Sequence, residues 1–397
     1  MMSNRSDFIV PDEAAVKRAA SVNFHLEPLR PWLDDPQITE VCVNRPGEVF
    51  CERASAWEYY AVPNLDYEHL ISLGTATARF VDQDISDSRP VLSAILPMGE
   101  RIQIVRPPAC EHGTISVTIR KPSFPRRTLE DYAQQGFFKH VRPMSKSLTP
   151  FEQELLALKE AGDYMSFLRR AVQLERVIVV AGETGSGKTT LMKALMQEIP
   201  FDQRLIAIED VPELFLPDHP NHVHLFYPSE AKEEENAPVT AATLLRSCLR
   251  MKPTRILLAE LRGGEAYDFI NVAASGHGGS ITSCHAGSCE LTFERLALMV
   301  LQNRQGRQLH TRSSAGCSIW WWMSSCTSTM ACTTALAAIY LKFGTTRIQN
   351  GHCHCNTVRR RNEAATFTPA PECAQGVSFS PTQALCSRIS RICCTNL

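Results

Sequence analysis

Residues 176–198 read Arg176-Val-Ile-Val-Val-Ala-Gly-Glu-Thr-Gly-Ser-Gly-Lys-Thr-Thr-Leu-Met-Lys-Ala-Leu-Met-Gln-Glu198. An apolar run feeds a glycine-rich turn, and Leu191, Leu195 and Met196 follow at helical spacing. Strand, tight turn and helix in that order are the context a phosphate-binding loop requires. Gly182, Glu183, Thr184, Gly185, Ser186, Gly187, Lys188, Thr189 and Thr190 are therefore the candidate nucleotide-binding residues. Backbone N–H groups of such a loop cradle phosphates, and Gly185 and Gly187 let the main chain approach without a Cβ in the way. Lys188 is placed to reach the β- and γ-phosphates, and Thr189 to offer its hydroxyl to Mg²⁺ as the candidate metal ligand. The helix N-terminus adds its dipole. ATP and Mg²⁺ are the implied cofactors.

The 397 residues suffice for two or three domains, and the formal net charge of −1 hides a division. Up to Gln308 there are 33 basic and 40 acidic residues; residues 309–397 hold 8 basic and only Glu363 and Glu372. Six cysteines lie before residue 309 and nine after it. The opening Met-Met-Ser-Asn-Arg-Ser-Asp has no apolar core of a signal peptide, so a cytoplasmic protein with reduced thiols is expected. The uncharged run 313–341 is the one stretch that invites a membrane reading. Ten of its 29 residues are Ser or Thr, which leaves it short of the apolar character a span demands.

Pattern and punctuation divide the chain into 1–23, an N-terminal tail; 24–120, an α+β domain; 121–150, a linker; 151–308, an α/β domain; and 309–397, a tail of different character. In the α+β domain, 39–44 and 48–52 alternate as strands, 67–81 reads as a helix, and 99–105 and 114–120 are further strands. The linker carries Pro122, Pro125, Pro143 and Pro150 and ends where Thr149 can cap a helix. Beyond it, apolar strands at 177–181, 205–208, 222–226, 255–259 and 279–282 alternate with helices. That alternation predicts a mostly parallel sheet covered by helices.

Three further elements carry chemistry. The strand 206–210 ends in Glu209 and Asp210, where open α/β sheets face their ligand crevice. The strand 256–260 has four apolar residues and then Glu260, a carboxylate that can hold a magnesium-bound water or orient the attacking one. Glu265, after Leu261-Arg-Gly-Gly, reads as a charge at a helix N-terminus. The turn from Gly276 runs into a strand that ends at His285, either a satisfied structural histidine or a γ-phosphate sensor. Cys284 and Cys289 lack zinc-ligand spacing.

The loop 182–189, the acids Glu209 and Asp210, the string Glu260-Leu-Arg-Gly-Gly-Glu-Ala266 and the box at His285 together resemble the secretion traffic ATPases. These are hexameric motors of type IV secretion, type II secretion and type IV pili, and the resemblance covers residues 24–308. It implies a RecA-like P-loop ATPase domain with a smaller N-terminal α+β domain, and ATP held between them. It also nominates Arg101, Arg106 and Arg120, on Gly99-Glu-Arg-Ile-Gln-Ile-Val-Arg106 and Ser116-Val-Thr-Ile-Arg120, as N-terminal arginines that touch the γ-phosphate. The structural alternative for them is charge that deters edge pairing of strands.

The resemblance makes Lys188, Glu209, Glu260, His285, Arg101 and Arg120 the candidate catalytic set, with Arg106 among the nucleotide contacts. No paired Cys-x-x-Cys lies between Glu260 and Gln308, so the type IV branch fits better than type II assembly motors. The implied protein is a homo-hexamer, peripheral at the inner membrane and in contact with inner-membrane components of the machine. A nucleic-acid translocase or a nucleotide-gated scaffold is the alternative. Net −7 over residues 1–308 gives no footprint for stand-alone sequence-specific DNA binding. Arg246 and Arg250, one helical turn apart, face phosphate or solvent.

After Gln308 the apolar periodicity stops. Trp and Met have single codons, so Ile319-Trp-Trp-Trp-Met-Ser324 exposes most of its coding sequence. Moved back by one base it encodes Leu or Met, then Val-Val-Asp, then Val or Glu, which is a buried strand. A frameshift near residue 309 that replaces the natural C-terminus is the expectation, with a poorly ordered tail, an incomplete sheet and reduced stability as its consequences.

Overall fold

The structure is a computed structural model and describes residues 13–122, 128–141, 148–229, 237, 239–312, 336–341 and 394–396. It opens with α1 (Glu13–Leu26), a 3₁₀ turn (Glu27–Leu29) and α2 (Arg30–Leu33). There follow β1 (Ile38–Val43), β2 (Glu48–Arg53), β3 (Ala56–Ala61), α3 (Tyr67–Phe80), β4 (Val91–Ile95), β5 (Arg101–Val105) and β6 (Ser116–Arg120). The six strands form an antiparallel sheet in the order β3-β2-β1-β6-β5-β4. Asp66 caps α3 by accepting from the His69 N–H, and Leu70 and Leu73 of that helix are fully buried in one core with Val41, Val49 and Ile102.

Helix α1 begins at Glu13, inside the segment expected to be a tail. Its alanines favour helix, and Val22 and Leu26, four apart, are buried in the same core. The apolar stripe is made of so few large residues that its periodicity is faint in the sequence. Strands β3 and β4 are also additions to the sequence reading.

The connecting segment carries α4 (Leu129–Gln134) and a 3₁₀ turn (Phe137–His140). Then come α5 (Pro150–Glu160), capped by Thr149 as the sequence suggests and in a capping box with Glu152, and α6 (Tyr164–Gln173). The second domain continues with β7 (Val177–Gly182), α7 (Lys188–Gln197), β8 (Leu205–Glu209), β9 (His222–Phe226), α8 (Ala241–Cys248) and β10 (Arg255–Leu261). It ends with α9 (Glu265–Ala274), β11 (Ile281–His285), α10 (Cys289–Gln302), α11 (Arg304–Arg312), β12 (Leu336–Leu341) and β13 (Cys394–Asn396).

These seven strands pair in parallel in the order β13-β12-β7-β11-β10-β8-β9. Both faces of the sheet are covered. Val177, Val179, Ile206, Ile208, Ile256 and Leu258 point into one core, while Ile178, Val180, Leu205, Ala207 and Leu257 point into the other. That is why the strands are unbroken apolar runs rather than alternating ones.

The tail differs from its expectation at one place. Leu336–Leu341 lies beside β7, with Leu336 opposite Val177 and Leu341 opposite Gly182, and 394–396 pairs with it. A sheet edge recruits through backbone N–H and C=O groups, so a short uncharged run can fill it whatever its origin. The remainder of 313–397, including Ile319-Trp-Trp-Trp-Met-Ser324, lies outside the described residues. Among the described residues no helix is long and apolar enough to cross a membrane.

Candidate active site

The loop after β7 is built as its glycines require. Gly185 and Gly187 sit at φ values of 76° and 84°, where an L side chain is strained. Gly187 caps α7 without a side-chain hydrogen bond, which leaves the first-turn N–H groups directed at the loop. The Ser186 hydroxyl is buried and has no hydrogen-bond partner among the described residues. A polyphosphate oxygen fits that requirement, since it would accept from the loop without competing for it.

Lys188 is largely buried at the root of the loop. Its Nζ donates to the Glu183 carbonyl at 2.9 Å and lies 3.4 Å from His285 Nδ1. Burial lowers the lysine pKa below its ordinary value, against the opposing pull of Glu260. An ammonium can only donate, so His285 Nδ1 accepts and its proton sits on Nε2. That Nε2 reaches Glu260 Oε1 at 3.1 Å. The geometry joins three sequence candidates in one line, Lys188 to His285 to Glu260. They meet because β7, β11 and β10 are successive neighbours, with His285 in register with Gly182.

Glu260 continues the line. Its Oε2 accepts from Arg262 Nε at 2.8 Å, and Arg262 Nη1 pairs with Asp210 Oδ2. Arg262 is a residue the sequence reading passed over. Its signal was available as an arginine two positions beyond a strand-end acid, at the exit of the strand beside the one carrying Asp210.

Glu209 is placed differently from its neighbours. Its carboxylate is fully buried, Oε2 accepts from the Glu213 and Leu214 N–H groups at 2.7 Å each, and Oε1 lies 3.2 Å from His224 Nδ1. With both oxygens committed, Glu209 holds the loop after β8 and faces away from water. Asp210, the next residue, is the acid that joins the line to Glu260.

The N-terminal arginines are on another part of the molecule. Arg101 and Arg120 are exposed and directly opposite each other on β5 and β6. Arg120 Nε lies 3.5 Å from Glu40 Oε1, and Arg106 pairs with Asp87 at 2.8 Å. Among the described residues no hydrogen bond or ion pair links these three to the loop 182–189. Within one chain the N-terminal domain packs along β9, where Phe226 N–H donates to the Ala109 carbonyl at 2.9 Å, and three strands, β8, β10 and β11, separate that edge from β7. Arg246 pairs with the buried Asp268 at 2.9 Å, and Arg250 donates to Ser93 Oγ at 2.9 Å, so neither simply faces solvent.

Comparison with known proteins identifies relatives of the whole fold. A family model described as "Type II/IV secretion system protein" matches residues 24–315. The type IV secretion system protein VirB11 of Brucella suis biovar 1 (strain 1330) is 99% identical over 309 residues, which are 78% of this chain and 86% of that protein. Type IV secretion system protein PtlH of Bordetella pertussis (strain Tohama I / ATCC BAA-589 / NCTC 13251) is 50% identical over 292 residues, 74% of this chain and 85% of that protein. Among solved structures, that of the VirB11 ATPase from the Brucella suis type IV secretion system in complex with sulphate superimposes with a TM-score of 0.71 at 96% identity, covering 75% of this chain and 86% of that one. The chain belongs to the type II/IV secretion system protein family.

Proposed function

We propose that this chain is an ATP-hydrolysing motor that energises substrate transfer or pilus assembly by a bacterial type IV secretion system. It works as a homo-hexamer on the cytoplasmic side of the inner membrane, as a peripheral protein in contact with inner-membrane components of the machine. The contact line Lys188–His285–Glu260 carries this reading, because it places a phosphate-binding cation and a water-orienting carboxylate on either side of one imidazole.

Lys188 exchanges the Glu183 carbonyl and His285 for the β- and γ-phosphates of ATP. His285 is then released from the lysine while its Nε2 keeps its hold on Glu260. Glu260 orients water for attack on the γ-phosphate and takes up its proton, and ADP and phosphate leave. Thr189 in the first turn of α7 would hold Mg²⁺, which would supply charge neutralisation on the triphosphate. Glu209 fixes the loop that presents Asp210. Arg101 and Arg120 bring positive charge to the γ-phosphate by movement of the N-terminal domain. Their direct opposition on β5 and β6 supports this, since like charges across a strand pair repel and an anion between them relieves the cost.

The tail 309–397 is read as the product of a shifted frame. The support is that a relative 99% identical over 309 residues leaves more than a fifth of this chain outside the alignment. Sequencing the coding DNA tests it, and an intact frame shared with an expressed full-length product would remove it.

Steady-state ATP turnover of Lys188→Ala and Glu260→Gln in the full chain tests the enzymatic assignment. Each variant should lose about 100-fold or more in rate. Wild-type rates in both would reject these roles.

A further inference from the structure

We propose that Arg262 is the positioning residue that sets Glu260 for hydrolysis, an inference that rests on the role given to Glu260 above. Arg262 stands at the exit of β10, directly after Leu261. Its Nε donates to Glu260 Oε2 at 2.8 Å and its Nη1 pairs with Asp210 Oδ2. Asp210 follows the last residue of β8, and β8 and β10 are adjacent parallel strands with Ile208 opposite Leu258. One guanidinium therefore ties together two acids at the ends of neighbouring strands.

The two carboxylates need such a tie. The Asp210 side chain is only 8% exposed and that of Glu260 17%, so water screens their mutual repulsion poorly. A guanidinium has a planar fork that can engage both acids at once, whereas a lysine ammonium is a single point of charge. The arginine is itself held from behind. Glu265 Oε1 accepts from the Arg262 N–H at 2.6 Å and from the Gly263 N–H at 2.8 Å, which fixes the backbone from which the side chain reaches back. Glu265 thus serves as the anchor of this turn as well as a helix N-terminal charge.

With Arg262 on Oε2 and His285 Nε2 on Oε1, both oxygens of Glu260 are held and the plane of its carboxylate is set. The two holds differ in kind. The His285 side is coupled through Nδ1 to Lys188, and so to whether the phosphate loop is filled. The Arg262 side has its contacts on Glu260 and Asp210, with none to residues 182–189 among the described residues. Arg262 is the constant reference and His285 the variable one. Loss of Arg262 should leave nucleotide binding in place and let the carboxylate rotate away from the attacking water.

The experiment is steady-state ATPase kinetics on the full chain for Arg262→Ala, Arg262→Lys, Asp210→Asn and Glu260→Gln, with binding of a non-hydrolysable adenine nucleotide measured by fluorescence titration. Arg262→Ala should lower kcat by about 10- to 100-fold with KM for ATP within about twofold of wild type, the size of effect expected when a reacting group is misplaced. Arg262→Lys should recover part of the loss by restoring charge without the fork, and Asp210→Asn should show a smaller loss of the same kind. An unchanged kcat in Arg262→Ala, or a rise in KM with kcat preserved, would overturn the proposal. Should Arg262→Ala fail to fold, Arg262→Lys and Asp210→Asn still decide, because wild-type kcat in both would refute the clamp. The two readings separate cleanly: a wild-type rate in Glu260→Gln defeats the role of Glu260, whereas an inactive Glu260→Gln beside a wild-type Arg262→Ala defeats only the role of Arg262.

Discussion

Arg204 Nη1 lies 2.6 Å from Asn44 Oδ1, so a fully buried guanidinium of the ATPase domain donates into the N-terminal domain. The same nitrogen lies 2.6 Å from Asn221 Oδ1, Nε donates to the Met251 carbonyl at 2.9 Å, and the group sits 5.7 Å from the centre of the Trp57 ring. Around it Arg45 donates to the Pro220 carbonyl at 2.7 Å and Lys252 pairs with Glu52 at 3.1 Å. Val105, Ala109 and Cys110 meanwhile share an apolar core with the large sheet. The boundary between domains is joined by directional polar contacts as well as by burial.

Arg204→Ala is therefore expected to cost about 2–4 kcal/mol, since it opens space and leaves buried acceptors on Asn44 and Met251 without their donor. Urea unfolding gives the loss directly. Limited proteolysis of the connecting segment should quicken in parallel, and a variant as stable as wild type would show that the domains do not depend on this residue.

Glu40 gives a pH dependence with a defined sign. It is buried on β1, Oε2 has no hydrogen-bond partner among the described residues, and burial pushes its pKa from 4.5 up to about 7 against the attraction of Arg120 and Lys252. Between those two values the folded chain binds more proton than the unfolded one, so this group's contribution to stability falls as pH rises through the window and is lowest above pH 7. Glu40→Gln should be more stable than wild type by about 1–3 kcal/mol at alkaline pH, with the gain shrinking toward acid. Thermal melts of both proteins across the range provide the check.

Gly279 precedes β11 with φ at 74°, and a Cβ there would meet Arg255 Nη1 at 2.6 Å and the Glu175 Cα at 3.2 Å. Arg255 is buried and donates to the Val172 carbonyl at 2.7 Å, so it has little room to retreat. Gly279→Ala should destabilise by about 1–3 kcal/mol through backbone strain and crowding together. A lowered urea midpoint with an unchanged slope is the expected reading.

His285→Ala removes the bridge between Lys188 and Glu260. Turnover should fall by about 10- to 100-fold, while nucleotide affinity holds, because Lys188 retains its contact to the Glu183 carbonyl and its reach to phosphate. Equal losses in affinity and turnover would instead make His285 a packing residue.

Much of this architecture was legible because it rests on local rules. The loop 182–189, the apolar runs of β7, β8 and β10 and the Thr149 cap each declare themselves within a few residues. Glu260 and His285 could be nominated as strand ends, and adjacency of β7, β11 and β10 brought them together. What was hidden depends on pairing between distant segments. Glu209 and Asp210 are indistinguishable as letters, and only the turn after β8, which gives one the N–H groups of Glu213 and Leu214 and the other Arg262, separates their roles. Helix α1 was missed because alanines carry little periodic contrast, and β12 because backbone pairing makes few demands on side chains.

Lys188 at rest leans on the same imidazole that steadies Glu260. In the proposed mechanism, grip and cleavage share a single hinge pin: nucleotide takes the lysine from the histidine before it is cut, and departing product hands it back.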